Sequence, residues 1–282
     1  MNAHAVGSHQ RYTKRAISAA VSPEIVATWV DAGTAVADPA VAQYALGIAD
    51  DLLILAQQLG AWISHAPELE EDLALGNIGL DLLGQARSLL TYAGSAWGKS
   101  EDDLAYFRDE SEFRCRWLFE LPNGDFGQTI ARQLVASVVL RALFARLADS
   151  RDSTLAAISA KAVKEVEYHV DHAAQWVRRL GLGTAESNRR MQASLDFVWP
   201  YVDELFQPDP QAAGLDGIAV DPTTLRGDFE AVVPPLIEAS GLQVPIVTPS
   251  TGGGRFGIHT EHLGRLLAEL QVLARQHPGA VW

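Results

Sequence analysis

Glu165, His169, His172 and Trp176 fall on one line of the stretch KAVKEVEYHVDHAAQWVRRLG, Lys161 to Gly181. At about 100° per residue, that line borders an apolar seam of Val163, Val166, Val170, Ala173, Val177 and Leu180. A carboxylate and two imidazoles beside a packed seam are the ligand types of a metal site between helices. The same residues also suit a solvated edge next to a core stripe. Other stretches repeat the pattern. Asp51 stands inside an apolar arc of Ile48, Leu55 and Trp62, with Asp50 at its edge. A carboxylate there must be paired, protonated or metal-bound. Asp81 and Gln85 belong to a polar line, Ala74 to Tyr92, flanked by Leu73 and Leu80 on one side and by Ile78, Leu82 and Leu89 on the other. Gln133 shares an apolar face with Ile130, Leu140 and Phe144, where a hydrogen-bonded core amide is the simplest role.

These residues require four long helices, near 44–64, 69–92, 126–148 and 156–180, with Leu55, Leu82, Leu140 and Val170 in the shared seam. Ser22-Pro23 and Asp38-Pro39 are helix-start signals, with Pro23 and Pro39 at the first helical position. Pro67 offers another start. Pro122-Asn123-Gly124-Asp125 is a turn. A fifth helix, 185–206, should kink at Pro200, and Pro234-Pro235 should break or bend a helix over 223–241. A last amphipathic helix follows His259. His259, Glu261 and His262 near its start suit capping or solvation, and Gly252–Gly254 with Arg255 lacks the context of a phosphate loop. No alternating Val/Ile strands occur, so the fold class is all-α.

The chain has 282 residues, 48% of them hydrophobic, and a net charge of −13. That is enough to bury a large core, and the acidity excludes nucleic acid and anionic membrane as expected ligands. The single cysteine, Cys115, rules out an intrachain disulfide framework and fits a reducing compartment, so a cytoplasmic location is expected. No apolar run reaches the length of a membrane span.

Thirty residues separate Asp51 from Asp81, and thirty-two separate Gln133 from Glu165. A ferritin-like four-helix bundle is laid out this way, with a carboxylate and then a Glu-x-x-His from each helix pair holding two irons. The set here is incomplete. Gln133 stands where a carboxylate is needed, Gly84 and Tyr168 stand where histidines are needed, and Gln85 and His169 hold the offset positions. The expectation is a hydrogen-bonded polar cluster of Asp51, Asp81, Gln85, Gln133, Glu165, Tyr168, His169 and His172 at the bundle centre, with no metal and no catalytic residue. Lys164, Arg132 and Arg141 are further candidate partners.

The blocks HAPELEEDLALGNIGLDLLGQARSLLTYAG, EDDLAYFRDESEFR, ELPNGDFGQTIARQ, KAVKEVEYHVDHAAQWVRRLGLGTAESNRRMQ and GRFGIHTEHLGRLLAELQ resemble the C-subunit family of the bacterial phenylacetyl-CoA epoxidases. The resemblance covers most of the chain from Tyr44 onward. It implies a ferritin-like core, 41–282, with added C-terminal helices, preceded by a partly flexible extension over 1–40. It also implies a structural subunit without cofactor, in a complex whose A subunit holds the di-iron site. That complex epoxidises the ring of phenylacetyl-CoA with electrons from a reductase. Two other readings stay open. One is a metal-binding oxygenase using Asp51, Asp81, Glu165 and His169. The other is a helical binding protein with a buried polar cluster.

Overall fold

A computed structural model describes residues 21–280, and among them there is no β-strand. The part of the 1–40 extension before Val21 lies outside the described residues. Helix α1, Pro23–Asp31, is capped by Ser22 and buries Val26. Its Glu24 reaches Arg87 of α3, Leu69–Gly94. Helix α2, Pro39–Gly60, begins at its own Asp38 cap, which accepts from the Ala40 N–H at 2.8 Å. That start matches the Asp38-Pro39 signal and lies several residues before Tyr44, where the expected periodic stretch begins, because Pro39 supplies helical φ without losing a needed donor. From Val41 to Leu59 only Gln43 and Gln57 escape burial. By length and composition α2 would pass as a membrane span, although Asp50 and Asp51 interrupt its apolar run. In the fold that apolar window is 83% buried, as the central helix of the bundle.

The other bundle helices are α6, Phe126–Leu147, and α7, Ser153–Gly181. Between α3 and α6 lie short helices α4, Glu101–Tyr106, and α5, Trp117–Glu120. Helix α3 starts at Leu69 rather than at Pro67, and its cap position, Glu68, makes no side-chain cap bond. Brief connections make α2/α3 and α6/α7 antiparallel pairs. Side-chain bonds fix the α3/α7 direction. Tyr92 meets Asp152, Gln85 meets Glu165 and Asp81 meets His169, so rising numbers on one helix meet falling numbers on the other. Helices α3 and α6 therefore run parallel and are joined by a long crossover, the ferritin-like connectivity. Leu55, Leu82, Leu140 and Val170 are all buried in the shared core.

The rest of the chain wraps this bundle. Helix α8, Ala185–Val198, stops where Trp199–Tyr201 tightens into a 3-10 turn around Pro200. Helix α9, Arg226–Ala239, runs through Pro234 and Pro235 without the break that was one of the two outcomes expected there. The carbonyls that lose their donors belong to Glu230 and Ala231, which are exposed and can bond water instead. Helix α10, Glu261–Gln276, closes the chain against α4 and α5.

Candidate functional site

The residues expected to form one cluster fall into two separate groups. The first is a ladder between α3 and α7. His172 Nε2 lies 2.8 Å from Glu71 Oε2, and His169 Nε2 lies 3.1 Å from Asp81 Oδ2. Gln85 Nε2 donates to Glu165 Oε2 at 2.9 Å, and Lys161 sits 2.7 Å from the other Glu165 oxygen. Lys161 is one turn before Glu165, so it displaces the expected Lys164. Both histidines are buried, each with Nδ1 unpartnered, as is Oε1 of Gln85. The Asp81 side chain is 36% exposed, so the ladder reaches solvent at its edge. Tyr168 is 51% exposed, correcting its place in the buried cluster. It sits one residue before His169, about 100° round the helix and facing out.

The second group centres on α2. Asp51 is turned toward the crossover and the C-terminal loop. Its Oδ1 accepts from the Arg116 backbone N–H at 2.8 Å and from Arg255 Nη1 at 3.1 Å; its Oδ2 accepts from Arg116 Nη1 at 3.1 Å and from Arg255 Nη2 at 2.6 Å. Asp209 bridges the same two guanidinium groups. Burial works against the Asp209 carboxylate, but Arg255 and Arg116 outweigh it and hold its pKa below the usual value. Burial likewise opposes the Arg255 charge, and Asp51 and Asp209 outweigh it, raising its pKa. Asp50, about 100° away, is fully buried and is gripped by Arg108 Nη1 at 3.0 Å and by the Arg114 N–H at 2.8 Å. Three buried carboxylates thus meet three buried guanidinium groups. Glu204 ties in through the backbone N–H groups of Trp117, Gly253 and Gly254, while burial raises its pKa. A Cβ at Gly254 would collide with the Cys115 carbonyl, so only glycine lets the loop come this close. Cys115 is itself buried, and burial lifts its thiol well above the usual range.

Gln133 is 1% exposed and neither side-chain polar atom finds a partner, against the expected hydrogen-bonded amide. The neighbouring Arg132 turns away, giving Nη2 to Asn123 Oδ1 at 2.5 Å and Nη1 to the Leu121 carbonyl. Among the described residues no carboxylate pairs with it, and burial pulls its pKa down to about 9. A two-iron centre in this fold needs carboxylates from both helix pairs and a nitrogen for each iron. Here Asp51 is held by arginines, Gln133 offers an amide, Gly84 offers nothing, and His169 commits one nitrogen to Asp81. Among the described residues, no three His, Cys, Asp or Glu side chains are grouped as metal ligands. The residues present do not fit two irons.

Sequence reasoning missed Glu71, Arg108, Arg116, Asp209 and Arg255. Two adjacent aspartates in an otherwise apolar helix were the available signal, since each needs its own cation on a different side. The cations that answer them lie in the crossover, Arg108 and Arg116, and in the C-terminal loop, Arg255.

A long α3 face stays bare. Leu69, Leu73 and Leu80 are exposed, at 61% and 66% for the last two, beside exposed Ile63. Ile63, Leu73 and Leu80 border a groove of about 890 Å³ between α2, α3 and α10.

This bundle, with its crossover and polar ladder, belongs to the phenylacetic acid catabolic protein family, whose sequence profile matches residues 26–282. Within that family, the chain is 50% identical over 242 residues to the C subunit of the 1,2-phenylacetyl-CoA epoxidase of Escherichia coli strain K12, a span of 85% of this chain and 98% of that relative.

Proposed function

We propose that this chain is a non-catalytic supporting subunit of a multicomponent di-iron monooxygenase that epoxidises the aromatic ring of phenylacetyl-CoA. In this reading an A subunit holds the irons and the substrate, a reductase supplies electrons, and the complex works in the cytoplasm in phenylacetate catabolism. The similarity to the C subunit of an epoxidase supports the choice of complex. The observation that carries the supporting role is the use of the polar residues. Arginines hold Asp51, histidines engage Asp81 and Glu71, and Lys161 and Gln85 hold Glu165. Carboxylates committed to such partners stabilise helix packing and are not available to bridge metals.

The exposed leucine line of α3 supports a partner surface. Monomeric proteins rarely keep a contiguous apolar patch of this kind beside a deep groove. Its occupant in this reading is the A subunit, across an interface of obligate type.

The test is reconstitution of the complex with Glu165→Ala or His169→Ala in this chain. Turnover per assembled complex should stay near wild type, and the isolated chain should hold well below one iron. Two irons per purified chain, or abolished chemistry in a correctly assembled variant, would overturn the supporting role in favour of a metalloenzyme. Separate elution of this chain and the A subunit at micromolar concentration would count against the pairing itself.

A further inference from the structure

His259 differs from the other buried histidines in what its two nitrogens face. His169 and His172 each engage one carboxylate through Nε2 and leave Nδ1 unpartnered. His259 has an acceptor on both sides. Nδ1 lies 2.7 Å from Glu120 Oε1, and Nε2 lies 3.0 Å from the Phe113 carbonyl oxygen. Its side chain and that of Glu120 are both essentially inaccessible. A neutral imidazole carries one N–H and one lone pair. Either tautomer would press that lone pair against an oxygen, the carboxylate in one case and the carbonyl in the other. With Glu120 ionised, only the imidazolium satisfies both contacts.

The rest of the arrangement makes this ring a hinge point. Glu120 is the last residue of α5, and its second oxygen accepts from the Thr260 N–H at 2.8 Å and from Thr260 Oγ1 at 2.7 Å. Thr260 is the N-cap of α10. One carboxylate thus holds both the ring and the cap of the helix that follows it. Farther along, α10 is tied to the same crossover through Gln271, whose Nε2 reaches the Ala105 and Arg108 carbonyls. Its outward residues His262, Arg265, Leu266 and Leu270 form one wall of the groove beside the bare α3 leucines.

We infer that His259 is a proton-operated latch for α10: its doubly protonated ring ties the start of the helix to Glu120 and to the Phe113 carbonyl. Loss of one proton to solvent then releases α10 from the crossover while the four-helix bundle stays folded. The electrostatic surroundings agree in sign. Burial disfavours the charged ring, but Glu120 outweighs it, with help from the Phe113 carbonyl and Glu110, and the pKa is raised above the usual 6.5. The other charged groups near the ring are Arg114, which donates to the same Phe113 carbonyl at 2.7 Å, and Arg108, stacked 4.1 Å from the Phe113 ring centre. On α10 itself, Glu261 and His262 occupy the first turn. A group with a raised folded pKa stabilises fully below its unfolded value, and that stabilisation is lost as pH rises through the folded one. The latch therefore opens on the alkaline side, and the groove loses its α10 wall there.

The test uses the full chain labelled with ¹⁵N. At about pH 7 both His259 ring nitrogens should carry a proton by NMR. As pH rises from about 6, hydrogen exchange corrected for intrinsic rates should show α10 amides losing several-fold more protection than α6 amides. In His259→Gln, α10 should exchange fast at every pH and the alkaline response should vanish. An alkaline response that survives in that variant would arise elsewhere and overturn the inference. So would a neutral His259 ring at about pH 7, or equal responses in α10 and α6. The wild-type titration decides alone if the variant fails to fold.

Discussion

Asp51→Asn separates the two meanings a buried carboxylate can have. The substitution keeps shape and removes one charge. It leaves the buried Arg116 and Arg255 guanidinium groups sharing Asp209 alone, and it turns an amide N–H₂ toward one of them. Removing one partner from a buried ion pair costs about 3–5 kcal/mol, because the remaining charge stays desolvated. At roughly 2–3 °C per kcal/mol for a chain of this size, the melting temperature should fall by roughly 6–15 °C. Asp81→Asn is the matched control. That side chain is partly solvated and pairs with the His169 ring, so its loss should cost less than about 1 kcal/mol. Both variants are melted by circular dichroism in metal-free buffer and again with ferrous iron. A small shift for Asp51→Asn, or equal shifts for the two, would refute the view that Asp51 serves the arginine network. An iron-dependent rise in wild-type stability that Asp51→Asn abolishes would point instead to a ligand.

Gln133→Leu should raise the melting temperature by a few degrees, since it removes two unpartnered buried polar atoms that each cost about 1–3 kcal/mol; a fall of similar size in a thermal melt would mean that water or a ligand satisfies them. Asp209 has a depressed folded pKa, so its stabilisation is present above the usual value and lost as pH falls through the folded one. The stability gap between wild type and Asp209→Asn, measured by urea titration, should therefore narrow below about pH 4. Leu73→Asp with Leu80→Asp should leave the melting temperature of the isolated chain within about 1 °C, because both side chains are exposed, and should weaken recovery of the A subunit in a pull-down at least about tenfold.

The bundle was legible because its signal is repetitive. Leu55, Leu82, Leu140 and Val170 follow a period that local sequence displays, and Asp38-Pro39 and Asp125 mark helix starts by local bonding. Pro234-Pro235 left a break or a bend open because a proline's cost depends on whether the freed carbonyls meet water, which sequence does not reveal. The site was legible only in part. His169 and Asp81 come together as spacing on two helices suggested. Asp51 did not join them, because its direction is set by cations from the crossover and from a glycine-rich loop, segments without periodicity. Asp51 lies on the broad apolar face of α2, but that helix is buried on nearly every side, so an apolar arc could not tell the bundle centre from the wrapped flank.

The pairing of Asp51 with Arg255 spans 204 residues of chain. During synthesis the bundle helices emerge from the ribosome long before the arginine that neutralises their buried charge. Until then Asp51 has only Arg116, and Asp209 has no second guanidinium group. The final balance of charge in the core therefore waits for the C-terminal loop. A chain cut short before Arg255 would keep an unbalanced charge in its interior.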